Sequence, residues 1–149
     1  MITENDPEVQ IIFEDDALVN RIEIEDIKER IKSLPDDWMI YLLGIGLPLK
    51  YEIAGTDLYK IKRFYGLHGY VINLKGANYL SDKMFPIQQQ LDSHLSELSM
   101  DYELKVYMHK YTGEHAKSLV KLYRSPSDIQ TNINEDKDSY ARLPLKIKM

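Results

Sequence analysis

Cysteine is absent from the chain, so no disulfide framework and no thiolate metal site is available, and nothing points to an oxidising compartment. No apolar run approaches the roughly 20 residues that cross a bilayer as a helix. The first residues, Met1-Ile2-Thr3-Glu4-Asn5-Asp6-Pro7, are acidic and polar where a signal peptide is basic and then apolar, so a cytoplasmic location with no membrane span is expected. Basic charge is in short supply. The 19 Lys and Arg face 24 Asp and Glu, a net charge of −5 that argues against nucleic acid as the partner, because phosphate backbones need clustered cations. The densest basic patch before the C-terminus, Lys60, Lys62 and Arg63, reads as a solvated strand face.

Several catalytic patterns are also missing. There is no Gly-x-Ser-x-Gly elbow, which with the lack of cysteine leaves nucleophilic hydrolase chemistry without support. None of His68, His94, His109 and His115 pairs at one helical turn beside a Glu in the zincin order. Gly44-Ile45-Gly46 lacks the spacing and the following helix of a dinucleotide fingerprint, and reads as punctuation. No internal repeat or second domain boundary is evident in the 149 residues, a length that suits one domain with a real core.

What is present is a continuous apolar run, Val9-Gln10-Ile11-Ile12-Phe13, that stops at three consecutive acids, Glu14, Asp15 and Asp16. Such a run suits a strand buried on both faces of a parallel or mixed sheet, with its acids at the carboxyl edge where open α/β sheets gather ligands. Adjacent carboxylates repel unless something cationic relieves them, and a hard divalent ion, magnesium or manganese, does so while keeping positions open for phosphate oxygens. A solvated acidic turn is the competing reading. Asn20 to Leu34 has the period of an amphipathic helix, with Ile24, Ile27, Ile31 and Leu34 on one face, Asn20 and Glu23 as a capping box and Pro35 as the stop. Trp38-Met39-Ile40-Tyr41-Leu42-Leu43 follows as a second buried strand, so strand, helix and strand form a crossover unit.

Leu49 to Asp57 reads as loop, Leu58 to Tyr65 mixes aromatic and basic residues, and Gly66-Leu67-His68-Gly69 breaks the chain before a short strand from Tyr70 to Leu74. A brief helix opens at Gly76, and Pro86 fits the first turn of another with Ile87, Leu91, Leu95 and Leu98 on one face. Tyr102, Leu104, Val106 and Met108 alternate with polar residues as a half-buried strand, and Leu119 to Tyr123 reads as a last one. From about residue 125 the Ser, Asn, Asp and Lys content suggests a loosely ordered tail. Most of the eleven tyrosines are expected in the core or on strand faces.

Taken in order, Phe13-Glu14-Asp15-Asp16, Pro35-Asp36-Asp37-Trp38 with Tyr41 to Gly44, and Gly66-Leu67-His68-Gly69-Tyr70-Val71-Ile72-Asn73-Leu74-Lys75-Gly76-Ala77 resemble glycosyltransferase family 25, which includes lipooligosaccharide and procollagen galactosyltransferases. The likeness runs from about Val9 to about Ile129. It implies an α/β architecture of the GT-A kind, a mixed sheet flanked by helices, and transfer of a hexose such as galactose from a UDP-sugar to a glycan or protein hydroxyl. It further implies a manganese or magnesium ion held by Asp16 and Glu14, with Glu14 and Asp15 touching the ribose or the metal's waters. His68 falls on the family's pattern near donor or acceptor, against a reading as a turn histidine bonded to backbone. Family members invert at the sugar carbon, so a carboxylate should take the acceptor proton. Asp92 occupies the matching place, against a reading as a solvent-facing or capping residue of its helix. Ser127-Asp128-Ile129 resembles a late element of the family.

The chain departs from the family at Met39, where an acid is usual, and at Leu67, where Thr is common. It also reaches the triplet after thirteen residues, whereas the family carries the nucleotide-binding half of the sheet ahead of it. The resemblance is therefore to the C-terminal portion of such an enzyme. A split enzyme completed by another chain, a silent remnant, and a reused interaction module are all consistent with this, and an uncovered sheet edge makes a partner or homo-oligomer expected in each.

Overall fold

A computed structural model describes residues 9–15, 17–19, 24–101, 103–110 and 120–122. Asp16, the capping pair Asn20 and Glu23, Ser127-Asp128-Ile129, His115 and the tail from about residue 125 lie outside these residues. The elements are β1 (Val9–Phe13), β2 (Ala17–Val19), α1 (Ile24–Lys32), β3 (Ile40–Ile53), β4 (Leu58–Asn73), α2 (Leu74–Met84), α3 (Leu91–Met100), β5 (Val106–His109) and β6 (Val120–Leu122).

The chain is α/β, built on a mixed sheet in the order β1-β4-β3-β5. β4 runs antiparallel to both β1 and β3, while β5 is parallel to β3. β1, β3 and β5 therefore point one way, with β4 against them. β5 also pairs with the first residues of β4, from Leu58↔His109 to Ile61↔Val106, so the long β3–β4 hairpin curls back on its own base. The curl is made at register shifts between Leu42 and Gly44, Gly44 and Ile45, Pro48 and Lys50, and Lys50 and Tyr51, because each irregularity bends and over-twists the ladder. β2 and β6 form a separate antiparallel pair.

Alternation along the central strands feeds two cores. On one face Tyr41, Leu43, Val71 and Tyr107 pack with Ile27, Ile31 and Leu34 of α1 and its C-terminal turn. On the other, Ile40, Leu42, Tyr70, Ile72, Val106 and Met108 pack with Leu80 and Met84 of α2 and Leu95 of α3. Asn73 fixes the start of α2: its side-chain oxygen accepts the Gly76 N–H at 2.8 Å while its amide donates to the Trp38 carbonyl.

Several expectations are corrected. The run Val9–Phe13 is an edge strand, not one covered on both faces: Ile11, Ile12 and Phe13 are 39%, 39% and 38% exposed. Its only partner strand among the described residues is β4, and a continuous apolar run does not record how many neighbours a strand will have. Gly44, Gly46, Pro48 and the first part of the expected loop, Leu49 to Ile53, lie inside β3, leaving only residues 54–57 as the turn, and the supposed break at Gly66–Gly69 lies inside β4, since bulges absorb what the sequence presents as terminators. Lys62, expected on a solvated face, is 2% exposed beneath the curled sheet, and burial holds its ammonium below the ordinary lysine value against the opposing pull of Glu52. α3 begins at Leu91, so Ile87 precedes it and is 68% exposed. Tyr107 is buried like its neighbours, because α1 covers the second face of β5.

Where the register shifts opposite residues 63 and 64, α3 takes over the backbone bonds. The Phe64 N–H donates to Ser96 Oγ at 3.0 Å, and Ser99 Oγ donates to the Lys62 carbonyl at 2.8 Å. Ser96 and Ser99 are both buried, as polar groups that pair with strand backbone are able to be. On the α1 face, His109 stands between Tyr41 Oη, 2.9 Å from Nδ1, and Ser33 Oγ, 3.2 Å from Nε2. Ser33 Oγ in turn donates to the Arg30 carbonyl at 2.7 Å. Burial, with the Arg30 charge adding and Asp57 opposing, holds the imidazole below its ordinary value.

Two tests follow from this packing. A Cβ at Gly76 would meet the Met39 carbonyl oxygen at 2.6 Å and Ile72 Cγ1 at 3.1 Å. Helix propensity favours Ala over Gly by about 1 kcal/mol, but a fixed strand carbonyl does not yield, and overpacking costs about 1–3 kcal/mol. Gly76→Ala therefore lowers the urea midpoint, against the usual sign for this substitution in a helix. His109, neutral in the fold, contributes stability that is complete above the unfolded histidine value of about 6.5 and is lost as pH falls from there through the lower folded value. The thermal midpoint should drop between pH 7 and 5, and His109→Gln should flatten that dependence.

Candidate functional site

The β1–β4 register ends at Phe13↔Gly69, and one further backbone bond, Glu14 N–H to the His68 carbonyl at 3.2 Å, sets Glu14 directly across from His68. Cross-strand neighbours share a face, which brings Glu14 Oε2 within 3.7 Å of His68 Nδ1. That is an ion-pair distance rather than a hydrogen bond. His68 is 4% exposed, and neither ring nitrogen has a hydrogen-bond partner among the described residues. The turn histidine bonded to backbone is thus replaced by a strand histidine buried without one. Most buried polar side chains are paired, so its two open nitrogens need a reason.

Two residues back, Gly66 adopts φ of +68°, a left-handed conformation that costs other residues about 1–2 kcal/mol. A Cβ there would lie 3.2 Å from Gly46 N and 3.4 Å from His68 Cε1, so the turn is tight on both sides. The Gly66 N–H donates to Asp92 Oδ2 at 3.2 Å, and Asp92 Oδ1 accepts the Ser93 N–H at 2.7 Å. Asp92, in the first turn of α3, is therefore half-buried and anchors that helix to the hairpin instead of facing solvent alone. Glu14, His68, Gly66 and Asp92 form a line from the carboxyl end of β1, past Gly44 and Ile45 of β3, to the first turn of α3.

Around this line the charge is negative. Glu14 is 40% exposed and Asp15 is exposed, and the Ala17 N–H returns to the Glu14 carbonyl at 3.1 Å, reversing the chain as the acidic-turn reading had it. Burial, with Glu14's charge second, raises the Tyr70 phenol beside them. Among the described residues no group of three or more His, Asp or Glu is placed to hold a metal, Asp16 not being one of them. The chemistry of the donors nonetheless suits a hard divalent ion: an accessible carboxylate at Glu14 with a second acid, Asp15, beside it.

One feature of this edge escaped sequence reasoning. A cleft of about 250 Å³ opens between the hairpin and α3, lined chiefly by Leu49, Arg63, Tyr65, Ser93, Glu97 and Met100. Its walls come from segments far apart in sequence, and no local pattern signals their meeting.

No family model matches the sequence, and no curated protein matches it.

Asp92→Ala removes two charge-assisted bonds and should lower the unfolding free energy by about 1–2 kcal/mol in the absence of any ligand. Asp92→Asn, which keeps one accepting oxygen, should lose about half of that. Chemical denaturation of the three proteins measures the difference, and equal stability would remove the anchoring role.

Proposed function

We propose that this chain acts in glycosyl transfer, as a glycosyltransferase family 25-like sheet of the GT-A kind that binds a UDP-sugar through a divalent metal at its acidic edge. The observation that carries the reading is the delivery of Glu14 to the carboxyl end of β1, beside a buried histidine without hydrogen-bond partners among the described residues and in line with Asp92. The sheet supports it as well: β1, β3 and β5 share one direction, and Glu14 follows β1 at its carboxyl end, the end of a strand at which α/β sheets bind ligands. Glu14 and Asp16 would hold manganese or magnesium. The ion, when bound, supplies Lewis-acid stabilisation of the charge that grows on the departing diphosphate.

This chain's own residues do the rest. Asp15, exposed in the reversal after β1, would touch the ribose or the metal's waters. His68, without a hydrogen-bond partner among the described residues, would turn a nitrogen to donor or acceptor. Asp92 is held in place by the Gly66 and Ser93 N–H groups, and a carboxylate has about four lone-pair sites, so it keeps capacity to take the acceptor proton while fixed. A hexose, with galactose as the implied sugar, moves to a hydroxyl of a glycan or protein.

A second reading, an interaction module without catalysis, is favoured by β1, whose outer edge has no strand partner among the described residues and whose Ile11, Ile12 and Phe13 are exposed, so that a partner chain or a second copy could add strands.

Calorimetry separates the two. Under the transferase reading UDP binds only with manganese present, and Glu14→Gln and Asp16→Ala each weaken binding at least about tenfold, or ~1.4 kcal/mol. A folded wild-type chain that takes up no UDP with manganese leaves the interaction module standing.

A further inference from the structure

We propose that the cleft between the β3–β4 hairpin and α3 is a neutral-sugar subsite that receives the ring of the acceptor, an inference that rests on the transferase reading for the word acceptor but not for the word sugar. The cleft adjoins the candidate site through covalent neighbours: Tyr65 precedes Gly66 and Ser93 follows Asp92, and the 3.2 Å bond between Gly66 and Asp92 joins the two walls. A ring seated there would touch Ser93, the chain neighbour of the carboxylate that the transferase reading assigns to the proton.

The lining selects the ligand class. Leu49, Tyr65 and Met100 are large apolar side chains left partly exposed, and all three line the cleft, which gives the C–H face of a pyranose apolar surface to pack on. Arg63 and Glu97, both exposed, stand on the same rim with opposite charges, and Ser93 adds a hydroxyl. A guanidinium and a carboxylate, each able to engage two neighbouring groups, suit vicinal hydroxyls. A phosphate would meet the Glu97 carboxylate, an ammonium would meet Arg63, and a wholly apolar ligand would strip water from both charges without replacing it. Glu97 is oriented by the Gln89 amide, which donates to it at 2.7 Å. The volume of about 250 Å³ falls below the roughly 300–1,000 Å³ of drug-sized sites, which suits one small ring.

The test uses the whole chain and two probes, methyl β-galactopyranoside and methyl β-glucopyranoside, titrated at millimolar concentration while amide NMR shifts are followed, first alone and then with UDP and manganese. The inference expects shifts at Arg63, Tyr65, Ser93 and Glu97 with at least one glycoside, and an affinity at least about fivefold weaker in Tyr65→Ala and in Glu97→Gln. Metal-dependent UDP binding should be unchanged in both variants. Glu97 is exposed, so Glu97→Gln keeps the test valid where Tyr65→Ala fails to fold. Sugar binding at these residues without UDP binding keeps the subsite and removes the transferase reading; UDP binding with no glycoside shift does the reverse. Shifts confined to other surfaces, or absent under both conditions, overturn the subsite.

Discussion

Residues 69–72 of β4 carry backbone pairing to β1 on one side and to β3 on the other, and they do so while running against both. Because β4 runs against β1, the chain leaving β1 after Phe13 meets the part of β4 that precedes Gly69, beside Gly44 and Ile45 of β3. Glu14 leaves β1 there, and residues 66–68 arrive there. The meeting of Glu14 with His68 is a consequence of register, with no special contact required to produce it. A slip of one residue would turn every side chain to the opposite face and separate the pair, so the packing of Tyr70, Val71 and Ile72 into two different cores is also what holds the site in place.

The hairpin that supplies β4 is longer than a flat ladder would carry without bending, and its bulges create a polar deficit. Opposite Pro48 to Lys50 the ladder is irregular, and the backbone at Lys62 and Phe64 turns to Ser99 and Ser96 for partners. The same helix, α3, then reaches the left-handed Gly66 through Asp92. One helix thus offsets the disruption of the sheet and positions the turn beside His68. An unsatisfied buried backbone group costs about 1–3 kcal/mol, so each serine bond is of the order of the overpacking and capping effects elsewhere in the fold.

The helical period of α1 was legible because Ile27, Ile31 and Leu34 recur at helical spacing and pack into a single core. The run from Ile40 to Leu43 was legible because it is apolar at every position and feeds a core on each face. The long hairpin was not. Gly44, Gly46, Pro48 and Gly66 carry the same local chemistry whether a strand ends at them or bulges through them, and only pairing with a distant segment decides. Lys62 sits in a basic stretch that looks solvated, and its burial follows from the curl, a property of the sheet rather than of the segment. Within the site, acids following an apolar strand could be read directly, while Asp92 and Gly66, 26 residues apart, become neighbours only through α3.

The acids at the end of β1 have two possible physical roles. Charge beside an open edge strand discourages a second copy from adding to it, and Ile11, Ile12 and Phe13 make such protection useful. Fully burying each of those side chains contributes about 1.5–3 kcal/mol, while association costs about 4–15 kcal/mol in lost freedom. Their partial exposure alone therefore does not drive assembly, and repulsion between copies of Glu14 and Asp15 weakens it further. Edge protection accounts for Asp15, which is exposed and needs only to be charged. It does not account for Glu14 set against a buried His68 whose nitrogens have no hydrogen-bond partner among the described residues, since a protective charge gains nothing from a desolvated neighbour. That arrangement has a use where a ligand completes it, which is why the functional reading rests on Glu14 and His68 and not on the run of acids.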